Sequence, residues 1–312
     1  MRLFRKLFFI FCFILSCAQL IHADQKTVSM ELSRPPMEKI KNATALAPRE
    51  YQKDVLTALR KSGRNGWVFI HAFKNVDPQQ REGLAFLVAN MPGRDLVAIK
   101  GGFLIENDKL AYQAMNEVPW GKVVPKEIFL NNILPYASLN EYRDNWRPDF
   151  HQRFINIAKA SQTIDQAVLA LNKYVFDTLH VSYNAVKRPK PDQSPYESIR
   201  AHYASCTGLS ILLTDALRSV GIPARIVAIA MWSDDSGNHT WVEFWDGQWH
   251  YVGAAEPTPF DHTWFTIKAS RTDAGHPIYA ASFKKTRLIF PMRWAPGLKF
   301  VPAVDVTKNY KP

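Results

Sequence analysis

The block from residue 204 to 257 limits this chain more than any other stretch, because it prescribes a helix, a buried strand and a tight hairpin in succession. Ser205 is a good N-cap residue. After it Leu209, Leu213, Leu217 and Val220 fall on one stripe of a helix predicted over 206–219, which Gly221-Ile222-Pro223 closes. Residues 224–231 (ARIVAIAM) read as a buried strand and 233–237 (SDDSG) as a turn. In the run that follows, His239, Trp241 and Glu243 share one face while Thr240, Val242 and Phe244 share the other. Asp246-Gly247 is a strong hairpin signal, so residues 248–252 return as the paired strand. A helix with one apolar stripe, followed by such a hairpin, buries its apolar groups by lying on the sheet. The fold class expected is α+β.

The same block carries the chemistry. Cys206 falls in the first turn of the predicted helix, where unpaired backbone N–H groups and the positive end of the helix dipole favour a thiolate. Those N–H groups could also hold the oxyanion of a tetrahedral intermediate. A buried, inert cysteine gains nothing from that position. A lone strand histidine is more often structural than a base, and His250 rivals His239 on sequence alone. What distinguishes His239 is the company of Cys206 before it and Glu256 after it, the parts for nucleophilic catalysis by a Cys/His pair with an orienting acid.

These residues resemble a known family. The order Cys206-x-Gly208, Gly221-Ile222-Pro223-Ala224-Arg225, His239-x-Trp241-x-Glu243, Trp249 and Glu256-Pro257-Thr258 is similar to the core of the transglutaminase-like superfamily of papain-fold cysteine enzymes, over roughly residues 163–265. The resemblance implies a papain-like core with a Cys-bearing helix packed on an antiparallel sheet. It implies Cys206 as nucleophile, His239 as general base and acid, and an acid beyond the next strand to orient the imidazole. The family pattern has an Asp four residues after the tryptophan; here Gly253 stands there and Glu256 comes three residues later. The role is assigned to Glu256, with Asp246 and Asp261 as the other acids in reach. For the oxyanion-site side chain, Tyr203 and Gln193 are the candidates.

The rest of the chain sets the context. Arg2, Arg5 and Lys6 precede an apolar run over 7–15 and a small residue at Ala23, the pattern of a signal peptide over 1–23, too short to span a bilayer comfortably. Export to a periplasmic or extracellular location is expected, with a lipoprotein cut before Cys17 as a secondary option. Of the three cysteines, Cys12 and Cys17 lie in that leader, which leaves Cys206 without a disulfide partner. Losing the leader's three cations takes the formal charge from +11 to +8, spread in short clusters such as Lys284-Lys285 rather than in an aromatic-interleaved patch, which argues against nucleic acid as partner. Two N-x-T sequons occur, at Asn42 and Asn238, and a glycan on the second would crowd His239.

Residues 24–48 read as a linker or arm, 49–158 as a mainly helical N-terminal portion, and 159–312 as the core with C-terminal strands. Helices are expected from 51 to a stop at 63–66, over 78–89, and over 148–158. Another, after Thr163, shows a capping-box pattern with Gln166 and a stripe of Ile164, Val168, Leu171, Val175 and Leu179. The charged and aromatic segment 140–147 reads as an ion-paired surface corner, and strands are expected near 277–283, 286–290 and 300–306. No H-x-x-x-H, C-x-x-C or D-x-D-x-D spacing supports a metal, and no Gly-rich phosphate loop occurs, so no cofactor is expected. The reading is thiol-dependent acyl transfer on protein or peptide carboxamides, those of the cell envelope included, as a transamidase or as an amidase or protease. The alternative is a binding or scaffold protein that keeps the fold without turnover.

Overall fold

The computed structural model describes residues 33–256 and 258–311. The expected leader, with Cys12 and Cys17, and the start of the 24–48 segment lie outside the described residues, as does Pro257. The remainder of 24–48 departs from a linker: Met37–Thr44 forms a helix, α1, whose Ile40 and Ala43 are fully buried. Two apolar residues one turn apart suffice to seat a short helix against a neighbour, and no longer stripe exists for a sequence pattern to catch.

The N-terminal portion is helical, with α2 (Gln52–Lys61), α3 (Gly66–Asn75), α4 (Arg81–Asn90), α5 (Gly101–Glu117) and α6 (Lys126–Asn132) enclosing one apolar cluster that includes Leu59, Phe69, Phe73 and Leu87. Gly63 does end α2, at φ +61°, but the chain re-enters a helix at Gly66. Next come α7 (Trp146–Ala160) and α8 (Ile164–Leu179), the latter with the predicted stripe buried. The capping box over Thr163 does not form; Gln166 Oε1 instead accepts from Gln162 N at 3.2 Å.

The segment 140–147 is ion-paired as expected, with Arg143 Nε 3.0 Å from Asp95 Oδ2, but most of its charged groups are buried rather than at the surface. Glu141, Asp144 and Arg147 are 1%, 7% and 2% exposed. Carbonyls at the end of α6 and in the loop after it converge there, and the fixed fork of Arg147 satisfies them: it donates to Ile133 O (2.8 Å), Pro135 O (3.1 Å), Arg218 O (2.9 Å) and Asn107 Oδ1 (2.7 Å). Burial, with the nearby Arg218 charge, pulls the Arg147 pKa down to about 9. Arg218 in turn donates to Asn132 O and Ala137 O, so two buried arginines tie the helical portion to the core.

In the core, a two-stranded parallel pair, β1 (Ser182–Tyr183) and β2 (Tyr203–Ala204), flanks the short helix α9 (Pro195–Ala201) and leads into α10 (Cys206–Ser219). The main sheet has the order β5-β4-β3-β6-β8-β7, all neighbours antiparallel: β3 is Ala224–Ile229, β4 His239–Trp245, β5 Trp249–Val252, β6 Ile278–Ala281, β7 Leu288–Ile289 and β8 Pro302–Asp305. One sheet face, with Val242 and Phe244, packs on α10 through Leu209, Leu213 and Leu217. The other, with Val227, Ile229 and Trp241, is covered by Phe265, Ala269 of α11 (Thr266–Ser270), Val306 and Tyr310. Helix, sheet and C-terminal strands fall where the sequence places them.

Candidate active site

Cys206 is the first residue of α10 and a partly exposed free thiol. Ser205 sits at the N-cap with extended backbone, but its hydroxyl donates to Pro191 O at 3.0 Å and does not cap the helix. The N–H groups of the first turn therefore have no side-chain cap beside the thiol. Position 208 must be glycine: a Cβ there would stand 2.9 Å from the Ala204 Cβ. The absence of that side chain lets the helix start press against β2.

His239 opens β4. The hydroxyls of the next residue along each element, Thr207 and Thr240, lie 3.0 Å apart and stitch the start of α10 to the start of β4. Cys206, His239 and Glu256 all line one cavity of about 940 Å³, with Asn238, Thr240 and Trp264 on the hairpin side and Phe176, His180 and Tyr183 on the other. Among the described residues no hydrogen bond or ion pair joins the three.

His239 lies among rings, with Trp264 and Phe265 centroids both 4.8 Å away and Trp241 at 5.8 Å. It is 8% exposed, its Nε2 is buried without a hydrogen-bond partner among the described residues, and burial alone lowers its pKa to about 4. The imidazole is neutral over the physiological range, with a basic nitrogen uncommitted.

Glu256 is where the sequence departs from the family pattern, and the geometry there is specific. A Cβ built on Gly253 would lie 2.2 Å from Glu256 Oε2 and 2.3 Å from its Cδ. The carboxyl group thus occupies the space that a side chain at position 253 would fill. Its Oε1 accepts from Trp264 Nε1 at 3.0 Å. Burial raises the Glu256 pKa, and the indole hydrogen bond opposes that rise.

The other candidates are engaged elsewhere. Asp261 Oδ2 lies 2.5 Å from His250 Nδ1 and Asp246 Oδ1 lies 3.3 Å from His250 Nε2, so both acids serve the rival histidine, outside the cavity. Gln193 is fully buried and its amide donates to Tyr203 O at 2.9 Å. Neither Gln193 nor Tyr203 lines the cavity. The remaining motif residues form scaffold: Arg225 pairs with Glu243 Oε2 (2.6 Å) and stacks over Trp249, while Tyr310 OH donates to Glu243 Oε1 (2.6 Å) and accepts from Trp241 Nε1 (2.8 Å). Sequence reasoning missed Trp264, which has no periodic signal, and Asn172, whose signal is an amide set in the apolar face of α8.

Residues 151–254 match the family model described as the transglutaminase-like superfamily. This segment is a transglutaminase-like domain. The match runs from α7 through the Cys helix and the hairpin, ending one residue past Gly253 and short of Glu256. A search of curated proteins finds no match to the chain. Among solved structures, a candidate cysteine protease from Cytophaga hutchinsonii is similar at 18% identity, covering 46% of this chain and 47% of that one, with a TM-score of 0.34. The chain thus spans about half the length of that protein.

Proposed function

We propose that the transglutaminase-like domain carries out acyl transfer through a thioester on Cys206. The observation that carries this reading is the shared cavity: a thiol at an uncapped helix start and a neutral, uncommitted imidazole open onto the same space. Cys206 Sγ attacks a carboxamide or peptide carbonyl while His239 takes the thiol proton. The free N–H groups of the first turn of α10 receive the developing oxyanion. His239 then returns the proton to the leaving amine, the C–N bond breaks, and water or a second amine resolves the thioester.

Glu256 is the acid of this triad. Its carboxyl fills the place of the absent side chain at position 253, and it reaches His239 through Trp264, whose indole N–H it holds and whose ring packs on the imidazole. The surroundings support these roles: the thiol is partly exposed, the imidazole is neutral, and the Glu256 carboxyl holds the indole that packs on it. We also propose, on the leader-like residues 1–23, that the protein acts outside the cytoplasm on protein or peptide substrates.

The test uses an activated acyl donor that needs no knowledge of the natural substrate. Incubation with p-nitrophenyl acetate should add one acetyl group to Cys206, detectable by intact mass and peptide mapping and released by hydroxylamine. His239→Ala should slow the transfer about a hundredfold, the usual contribution of a general base. Acetylation of wild type and His239→Ala at equal rates would remove the catalytic reading and favour a domain that only binds.

A further inference from the structure

The turn that carries Glu256 is held by one buried side chain, and we infer that Asn172 is a positioning residue for its carboxylate. The inference rests on the reading of Glu256 as the triad's acid. Asn172 lies midway along α8, one turn from Val168, on a face that is otherwise apolar, and is 1% exposed. A leucine would suit that face; the amide serves the turn instead. Its Nδ2 donates to Gly253 O and to Glu256 O, both at 2.9 Å, and its Oδ1 accepts from Ala255 N at 2.9 Å.

Three bonds from one rigid amide fix three consecutive parts of the backbone between 253 and 256. Within the turn Ala255 stands at φ +65°, the left-handed region that an alanine avoids, and Glu256 N reaches back to Gly253 O at 3.2 Å. This curl is what folds the Glu256 side chain over Gly253. Two conditions must hold together for a carboxylate to occupy that space: no side chain at position 253, and a turn closed tightly enough to bring residue 256 back across it. Glycine meets the first, and Asn172 meets the second. The line of action runs from Asn172 to the turn, to the Glu256 carboxylate, to the Trp264 indole and to the ring of His239.

A purely structural Asn172, tying α8 to the end of β5, would lower stability when lost and leave the reactivity of Cys206 alone. The two roles separate in a double-mutant cycle. The rate of Cys206 alkylation by iodoacetamide is measured from about pH 5 to about pH 9 for wild type, Asn172→Ala, Glu256→Gln and the double variant, with thermal denaturation of each. Asn172→Ala and Glu256→Gln should each slow alkylation by about tenfold above about pH 5, the cost of an imidazole no longer held in line with the thiol. The double variant should be no slower than either alone, because both changes act on one line.

A wild-type profile for Asn172→Ala beside a slowed Glu256→Gln would overturn the inference and leave the reading of Glu256 standing. Multiplied losses in the double variant would overturn it as well. An unchanged profile for Glu256→Gln would remove the reading of Glu256 itself, and the inference with it. Should Asn172→Ala not fold, Asn172→Asp keeps the shape and the acceptor for the Ala255 N–H, removes the amide donors, and is held to the same comparison.

Discussion

The two ends of β4 sit on one strand and present one face, yet they are built on opposite terms. At the far end Glu243 is 2% exposed and fully engaged, both oxygens taken by Arg225 and Tyr310 at 2.6 Å. At the near end His239 is almost as buried, and its Nε2 has no hydrogen-bond partner among the described residues. A buried charge left unpaired is costly, so the Glu243 end is closed; a buried neutral imidazole can be left without a hydrogen bond at far smaller cost, and the residue that carries it lines the cavity. The motif H-x-W-x-E thus contains one residue that lines the cavity and two that are engaged in the scaffold. The same contrast recurs between the histidines of this region, since both ring nitrogens of His250 face carboxylates and neither serves the cavity.

That contrast can be broken from several sides. The largest effect is expected at the thiol: Cys206→Ala should abolish acetyl transfer from p-nitrophenyl acetate to the described part of the chain, read by peptide mapping. Next is the closed end. Glu243→Ala leaves Arg225 buried without its partner and should lower stability by about 3–5 kcal/mol in urea denaturation, while the rate of Cys206 alkylation in the folded protein stays as in wild type. A change in alkylation would mean that the two ends are coupled after all.

The open end predicts a pH response of definite sign. His239 has its pKa lowered to about 4 in the folded protein, against an ordinary value of 6.5, so the unfolded chain binds its proton first as pH falls. Stability from this group is therefore full above about pH 6.5 and is lost progressively towards pH 4, by roughly 3 kcal/mol in all. His239→Phe, which suits the surrounding rings, should lack that loss, as paired denaturation curves at neutral and acid pH would reveal. The smallest effect is at Trp264. Trp264→Phe keeps a ring on His239 but removes the N–H that Glu256 accepts; stability should change by under about 1 kcal/mol, and the Glu256 pKa should rise further, a shift that carboxyl NMR can follow.

Much of this was legible in the sequence because it rests on short-range patterns. The apolar stripe Leu209, Leu213, Leu217 and the Gly221-Ile222-Pro223 stop define α10 with the bounds observed, and the alternation after His239 with Asp246-Gly247 defines the hairpin. What was not legible depends on contacts far apart in the chain. Arg147 looks like a surface charge until the carbonyls of Ile133, Pro135 and Arg218 are seen to converge on it. Thr163 and Gln166 have the spacing of a capping box, but the hydrogen bond goes to Gln162. A glycine at 253 with a carboxylate only at 256 reads as a departure from the family pattern along the sequence. In space the carboxyl group lies where a side chain on Gly253 would be, and only the turn held by Asn172 makes that visible.

The central claim is that His239 governs Cys206, and the pH dependence of alkylation tests it most directly. With iodoacetamide, wild-type Cys206 should keep reacting well below about pH 8.5, where an ordinary free thiol loses reactivity, and should fall off only as His239 takes up its proton near pH 4. His239→Ala should return the profile to that of an ordinary thiol. Superimposable profiles for the two proteins, both centred near the free-thiol value, would contradict the account.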